Sequence, residues 1–165
     1  MAFLRILKHL LHPGWMSHHR FPAASLARIE SAIAFAEAHH HGEICVAVES
    51  ALDLMPLLRG QTARERALEV FAQQRVWDTE ANNGVLIYLL LADRDVEIIA
   101  DRGLARHVDA TTWETMCEDM KIHFRNGDYE AGVLQAIAAT SKHLNQFYPH
   151  AGEDINELPN RPVRL

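Results

Sequence analysis

Seven consecutive apolar residues, Val85 to Leu91, constrain this chain more than any other stretch. A continuous apolar run bounded by turn formers suits a strand covered on both faces, not one alternating between core and water. Asn82, Asn83 and Gly84 supply the turn before it. Ala92 to Asp95 interrupt the run and Val96 to Ala100 resume it, a connection so short that the two strands must be antiparallel neighbours. A central sheet therefore contains this pair. Its outer turns are rich in carboxylates and amides: Asp78, Glu80, Asn82 and Asn83 on one side, Asp101 with Arg102 and Gly103 on the other. That polar chemistry beside a buried sheet is the main functional clue.

The flanking segments extend the sheet and cover it. Ile44, Val46 and Val48 alternate within Glu43 to Ser50, which reads as a first strand. Thr62 and Glu65 form a capping box that opens a helix running to about Arg75, so strand, helix and strand make a parallel crossover. Before it, Leu26, Ile29, Ile33 and Ala36 recur on one face of a helix that runs into His39, His40 and His41 and ends at Gly42. Adjacent helical residues point about 100° apart, so the three histidines cannot all ligate one ion. After Gly103, Thr111 and Glu114 repeat the capping-box spacing ahead of the stripe Trp113, Met116, Cys117, Met120 and Phe124. Asn126 to Asp128 break that helix, and Val133, Leu134, Ile137 and Leu144 mark the next. The predicted fold is α/β: a mixed central β-sheet with strands at about residues 43 to 50, 85 to 91 and 95 to 100, flanked by helices on both faces. The domain is expected over residues 23–148, preceded by an N-terminal helix and linker over 1–22 and followed by an extended or disordered tail over 149–165.

Phe3, Ile6, Leu7 and Leu10 fall at helical spacing, with Arg5 and Lys8 facing elsewhere and Pro13-Gly14 ending the pattern. This helix is too short to span a bilayer, and its charges break the apolar region an export signal requires. Capping the domain core, forming a protein or homodimer contact, and lying on a membrane through residues 1–16 are its open roles. A cytoplasmic protein, peripheral at the inner membrane if the last role holds, is the expectation. With 16 Lys and Arg against 22 Asp and Glu, a net charge of −6, the chain lacks the basic surplus that drives binding to nucleic acid. Cys45 and Cys117 fall on predicted buried faces and no zinc spacing is present.

The segment NNGVLIYLLLADRDVEIIADRGL, followed by Asp109 and by FRNGDYEAGVLQAI, resembles the TPM domain family over roughly Ala24 to Tyr148. The resemblance implies an α/β sandwich, acidic loops that bind calcium in some members, and phosphatase activity in a few. Where many members carry a Val-x-Asp segment before the first helix, this chain reads Arg20 to Ala24. Where members commonly have two glycines after the second hairpin strand, it reads Ala100-Asp101-Arg102-Gly103.

Asp78-x-Glu80-x-Asn82-Asn83-Gly84 begins like an EF-hand loop but fails as one. Its glycine comes one residue late, and the twelfth position is Leu89. A cation site would need oxygens from other loops. Asp78, Asn83, Asp101 and Asp109 are therefore the expected ligands of one divalent ion, calcium, with no organic cofactor; the plainer alternative makes them turn residues with Asx hydrogen bonds. A phosphatase would need a metal or activated nucleophile beside cationic clamps, for which Arg94, Arg102 and Arg106 are the candidates. No P-loop, Cys-x5-Arg, nucleophile elbow or HExxH motif accompanies them, so a binding module is favoured over an enzyme.

Overall fold

The computed structural model describes residues 2–12, 14–150 and 156–165; Met1, Pro13 (expected to end the first helix) and residues 151–155 of the tail lie outside them. Helix α1 (Ala2–Leu10) leads the chain, and the histidine-rich stretch expected as a linker is instead helix α2 (Trp15–Arg20). Ser17 is buried there and its hydroxyl donates to Gly14 O at 2.9 Å, a contact that polar composition alone conceals. Helix α3 (Ala23–Glu37) buries Ile29, Ile33 and Ala36 as the periodicity predicts. It stops before the three histidines rather than running through them. His40 is buried and bridges to Pro149, while Gly42 N donates to His40 Nδ1 at 3.2 Å.

Strand β1 (Ile44–Glu49) leads through α4 (Leu54–Leu58) and α5 (Ala63–Gln73) to β2 (Val85–Leu90), which lies parallel to β1. The Thr62–Glu65 capping box is present in both halves. Strand β3 (Asp95–Ala100) returns antiparallel to β2, with Ile87 opposite Ile98. Helices α6 (Arg102–Ala105), α7 (Ala110–Arg125) and α8 (Tyr129–Phe147) follow. The cap of α7 is Asp109, whose carboxylate accepts from Thr112 N at 2.8 Å, and not Thr111 as the spacing suggested.

The apolar run explains the layers. Along β2, Val85, Ile87 and Leu89 join the core beneath α3, α7 and α8, and Leu86, Tyr88 and Leu90 join a second core beneath α4 and α5. Every residue of the strand is buried, as both-face coverage demands. At the far edge, β4 (Val163–Arg164) pairs parallel with β1 and completes the order β3-β2-β1-β4. Short and flanked by Pro162, this strand carries almost no apolar pattern to announce it. Glu43 secures the segment by accepting from Glu157 N and Leu158 N, both at 3.1 Å. Among the described residues no helix is long and apolar enough to cross a membrane.

Candidate functional site

Two turns meet where β2 begins and β3 ends. Asp101 N donates to Gly84 O and Gly103 N donates to Asn82 O, each at 2.8 Å, lacing the 82–84 turn to the 101–103 turn. Asn82 takes φ +52, a left-handed conformation that Asn tolerates, and its Oδ1 accepts from Arg102 Nε at 2.8 Å. Both glycines are fixed by close backbone approach. A Cβ on Gly84 would stand 2.1 Å from Val76 O, and one on Gly103 would stand 2.4 Å from Asn82 O and 2.6 Å from Ala81 O.

Within this junction Asn83 is fully buried. Its N–H donates to Thr79 Oγ1 at 3.1 Å and its Nδ2 donates to His41 O at 2.9 Å, but its Oδ1 has no hydrogen-bond partner among the described residues. Asp101 is buried too: Oδ1 accepts from Arg102 N at 2.7 Å, capping α6, while Oδ2 is likewise unpartnered. Tyr148 closes the region. Its carbonyl accepts from His41 N at 2.9 Å, and its hydroxyl would lie 2.8 Å from a Cβ on Gly103. Burial, helped by the Asp101 charge and opposed by Arg106, pushes the Tyr148 phenol upward. A buried oxygen without a donor costs about 1–3 kcal/mol, and a hard cation is a chemistry that relieves it.

The other two expected ligands are committed to local partners. Asp78 is exposed and ion-paired with Arg75, three residues before it. Asp109 spends its Oδ1 on Thr112 N and on Thr112 Oγ1 at 3.0 Å, and those bonds hold its carboxyl below the usual range. Of the four residues, then, the structure brings Asn83 and Asp101 to one laced junction. Among the described residues, no group of three or more His, Cys, Asp or Glu side chains is gathered in a way that could hold a metal.

The arginines expected as phosphate clamps are split between the two ends of the hairpin. Arg94 lies in the β2–β3 turn with φ +55, whereas Arg102 and Arg106 follow β3. Burial pushes the thiol of Cys45 to about 12 and that of Cys117 to about 11, which keeps both as protonated core groups. Cys117 borders a trough of about 700 Å³ beside β3, together with Ile98, Trp113 and the charged Arg64, Glu97 and Lys121. Arg64 Nη1 donates to Ile98 O at 3.1 Å, blocking the outer edge of β3.

Two polar networks carry no sequence signature, because each joins residues from separate elements. Tyr88 donates its hydroxyl to Glu49 Oε2 at 2.6 Å, and Arg66 grips the same carboxylate through Nε at 2.9 Å and Nη2 at 3.1 Å. Asp93 holds Arg5 Nε at 3.0 Å and lies 2.9 Å from His9 Nε2, fastening α1 to the hairpin turn.

Comparison with known proteins places this architecture. The model of the TPM domain family matches residues 17–143. The solution structure of the BA42 protein from the psychrophilic bacterium Bizionia argentinensis is 28% identical, with a TM-score of 0.76 over 87% of this chain and 94% of that one. The N-terminal domain of a P. gingivalis protein shares the fold at 20% identity, with a TM-score of 0.61 over 86% of this chain and 94% of that domain. No curated protein matches the chain.

Proposed function

The chain belongs to the TPM domain family, and from that premise we propose that it is a non-catalytic binding module that holds a divalent cation, calcium, at the junction of its 82–84 and 101–103 turns. The observation that carries this is the pair of buried, unpartnered oxygens, Asn83 Oδ1 and Asp101 Oδ2, on turns laced to each other through the backbone. Asn83 contributes a neutral oxygen and Asp101 a charged one, both hard donors of the kind calcium takes at six to eight positions. Carbonyls of Ala81 and Asn82, turned toward Gly103, lie against the same turn. Asp78 joins such a site only by releasing Arg75, and Asp109 only by giving up part of its cap on α7.

Phosphatase chemistry is the less supported reading, since the three arginines are divided between the hairpin's two ends and the buried thiols are held protonated. Calorimetric titration of the full chain with calcium chloride tests the proposal. A saturable heat that disappears in Asp101→Asn, which keeps an acceptor for the α6 cap, is expected. No binding heat at millimolar calcium overturns it, and metal-dependent turnover of p-nitrophenyl phosphate lost in the same variant would move the chain to the phosphatase reading.

A further inference from the structure

Helix α1 is held to the domain by one side only. Arg5 reaches Asp93 and Gln61 O, Ile6 packs into the core beneath α5, and His9 is buried with Leu52 N donating to its Nδ1 at 3.0 Å. These three positions occupy one arc of the helix. The opposite arc bears Phe3, Leu4, Leu7, Leu10 and Leu11, and Trp15 of α2 follows it; Phe3 is 75% exposed, Leu11 70% and Trp15 63%. Helix α4 packs beside α1 and adds exposed Leu54, Met55 and Leu58. Eight of the fourteen large apolar side chains left exposed among the described residues therefore belong to these three short helices, and Leu11, directly after α1, makes a ninth. Scattered single hydrophobics are normal on a surface, but a concentration of this kind marks a contact site.

We propose that this α1–α4 face docks on an anionic lipid surface. Charge selects the occupant. Lys8, Arg20 and Arg94 all act on His12, so that burial first, and then these cations, hold its imidazole below the ordinary value. Lys8 and Arg94 are exposed, as is Arg59 at the end of α4. Asp93, an acid of this region, is already engaged by Arg5 and His9, which leaves Asp53 as the exposed carboxylate beside α4. On a chain of net charge −6, cations thus gather where the apolar side chains do. A second copy related by a two-fold axis would set one cationic rim against another, whereas anionic headgroups neutralise it. A short amphipathic helix with aromatic and leucine side chains on one face and basic residues at its border is the form that lies in a bilayer interface. Asp93 also places the face at the β2–β3 turn, the end of the hairpin away from Asn83 and Asp101, so the two sites are independent.

Vesicle flotation with the full chain tests this. Lipid would be phosphatidylcholine alone or an equimolar mixture with phosphatidylserine, and each sample would also be run by sedimentation velocity without lipid. The parent should float with the anionic vesicles and stay behind with the neutral ones. Leu7→Glu/Leu10→Glu should abolish flotation, and Lys8→Glu/Arg94→Glu should reduce it at least about tenfold. Because all four side chains are exposed, unchanged circular dichroism and melting will show that these variants still fold. A parent that stays unbound with anionic vesicles overturns the proposal, as does a Leu7→Glu/Leu10→Glu variant that floats as well as the parent. A concentration-dependent dimer broken by the leucine variant, with no lipid binding, would assign the face to a second copy instead.

Discussion

His9 Nε2 lies 2.9 Å from Asp93 Oδ1, joining the first helix to the turn between β2 and β3. Since His9 Nδ1 accepts from Leu52 N, a single imidazole proton belongs on Nε2, the nitrogen nearest the carboxylate. Burial raises the Asp93 carboxyl, but bonds and charges from Arg5 and His9 outweigh it, and the net direction is downward from the ordinary 3.8. A depressed folded value contributes stability that is present above the unfolded value and lost as pH falls through the folded one. Asp93→Asn should therefore cost about 1–3 kcal/mol near neutrality. Urea denaturation against pH should show the parent's advantage shrinking below 3.8 and vanishing at lower pH.

The Tyr88–Glu49–Arg66 network makes a graded prediction. All three sit at or near the second core, and burial together with the Glu49 charge drives the Tyr88 phenol well up, so it remains a donor. Tyr88→Phe removes one short bond and should cost about 1–2 kcal/mol, whereas Glu49→Ala leaves the buried Tyr88 hydroxyl without its acceptor and Arg66 with Glu69 alone, and should cost about 2–4 kcal/mol. The double variant should cost less than the sum, measured as a coupling energy in chemical denaturation.

Glycine substitutions separate packing from backbone preference. At Gly84 and Gly103 a methyl meets backbone carbonyls, which cannot rotate away, so either Gly→Ala change should cost more than about 3 kcal/mol or prevent folding. At Gly60, φ is +76 but nothing lies within 4 Å, so Gly60→Ala should cost only about 1 kcal/mol. Thermal melting of the three variants distinguishes the cases.

Much of the scaffold was legible because its signals are periodic. Val85 to Leu91 named a strand buried on both faces, and the break at Ala92 to Asp95 named the hairpin; the structure places β2 and β3 within a residue of those bounds. What failed lacked period. Trp15 to Arg20 is polar enough to pass for a linker, and β4 is two residues at a sheet edge. The α1 helix was legible as amphipathic, but its inward side was not: Arg5, placed off the apolar face, ties it down together with His9. In the candidate site, the residue types pointed to Asn83 and Asp101, which the fold joins. Only three-dimensional placement reveals that Asp78 and Asp109 carry local partners, because an acid at a loop reads the same whether it caps a helix or faces an ion.

That distinction gives the final prediction. If calcium is held at the laced turns, binding to the folded state alone stabilises it by mass action, about 2.7 kcal/mol at one hundred times the dissociation constant. The melting temperature should therefore climb with the logarithm of calcium concentration beyond saturation. Magnesium, which demands a compact octahedral shell, should raise it less. Asp101→Asn should remove most of the calcium response because it withdraws the buried charge, and Asn83→Ala should remove it while also losing the bond to His41 O. Asp78→Asn and Asp109→Asn measure whether the outer acids leave Arg75 and Thr112 to complete the shell. A reduced response in either variant makes that residue a ligand, while a full response confines the site to the junction. A melting curve that calcium leaves unchanged in the parent would return all four residues to turn formation and capping.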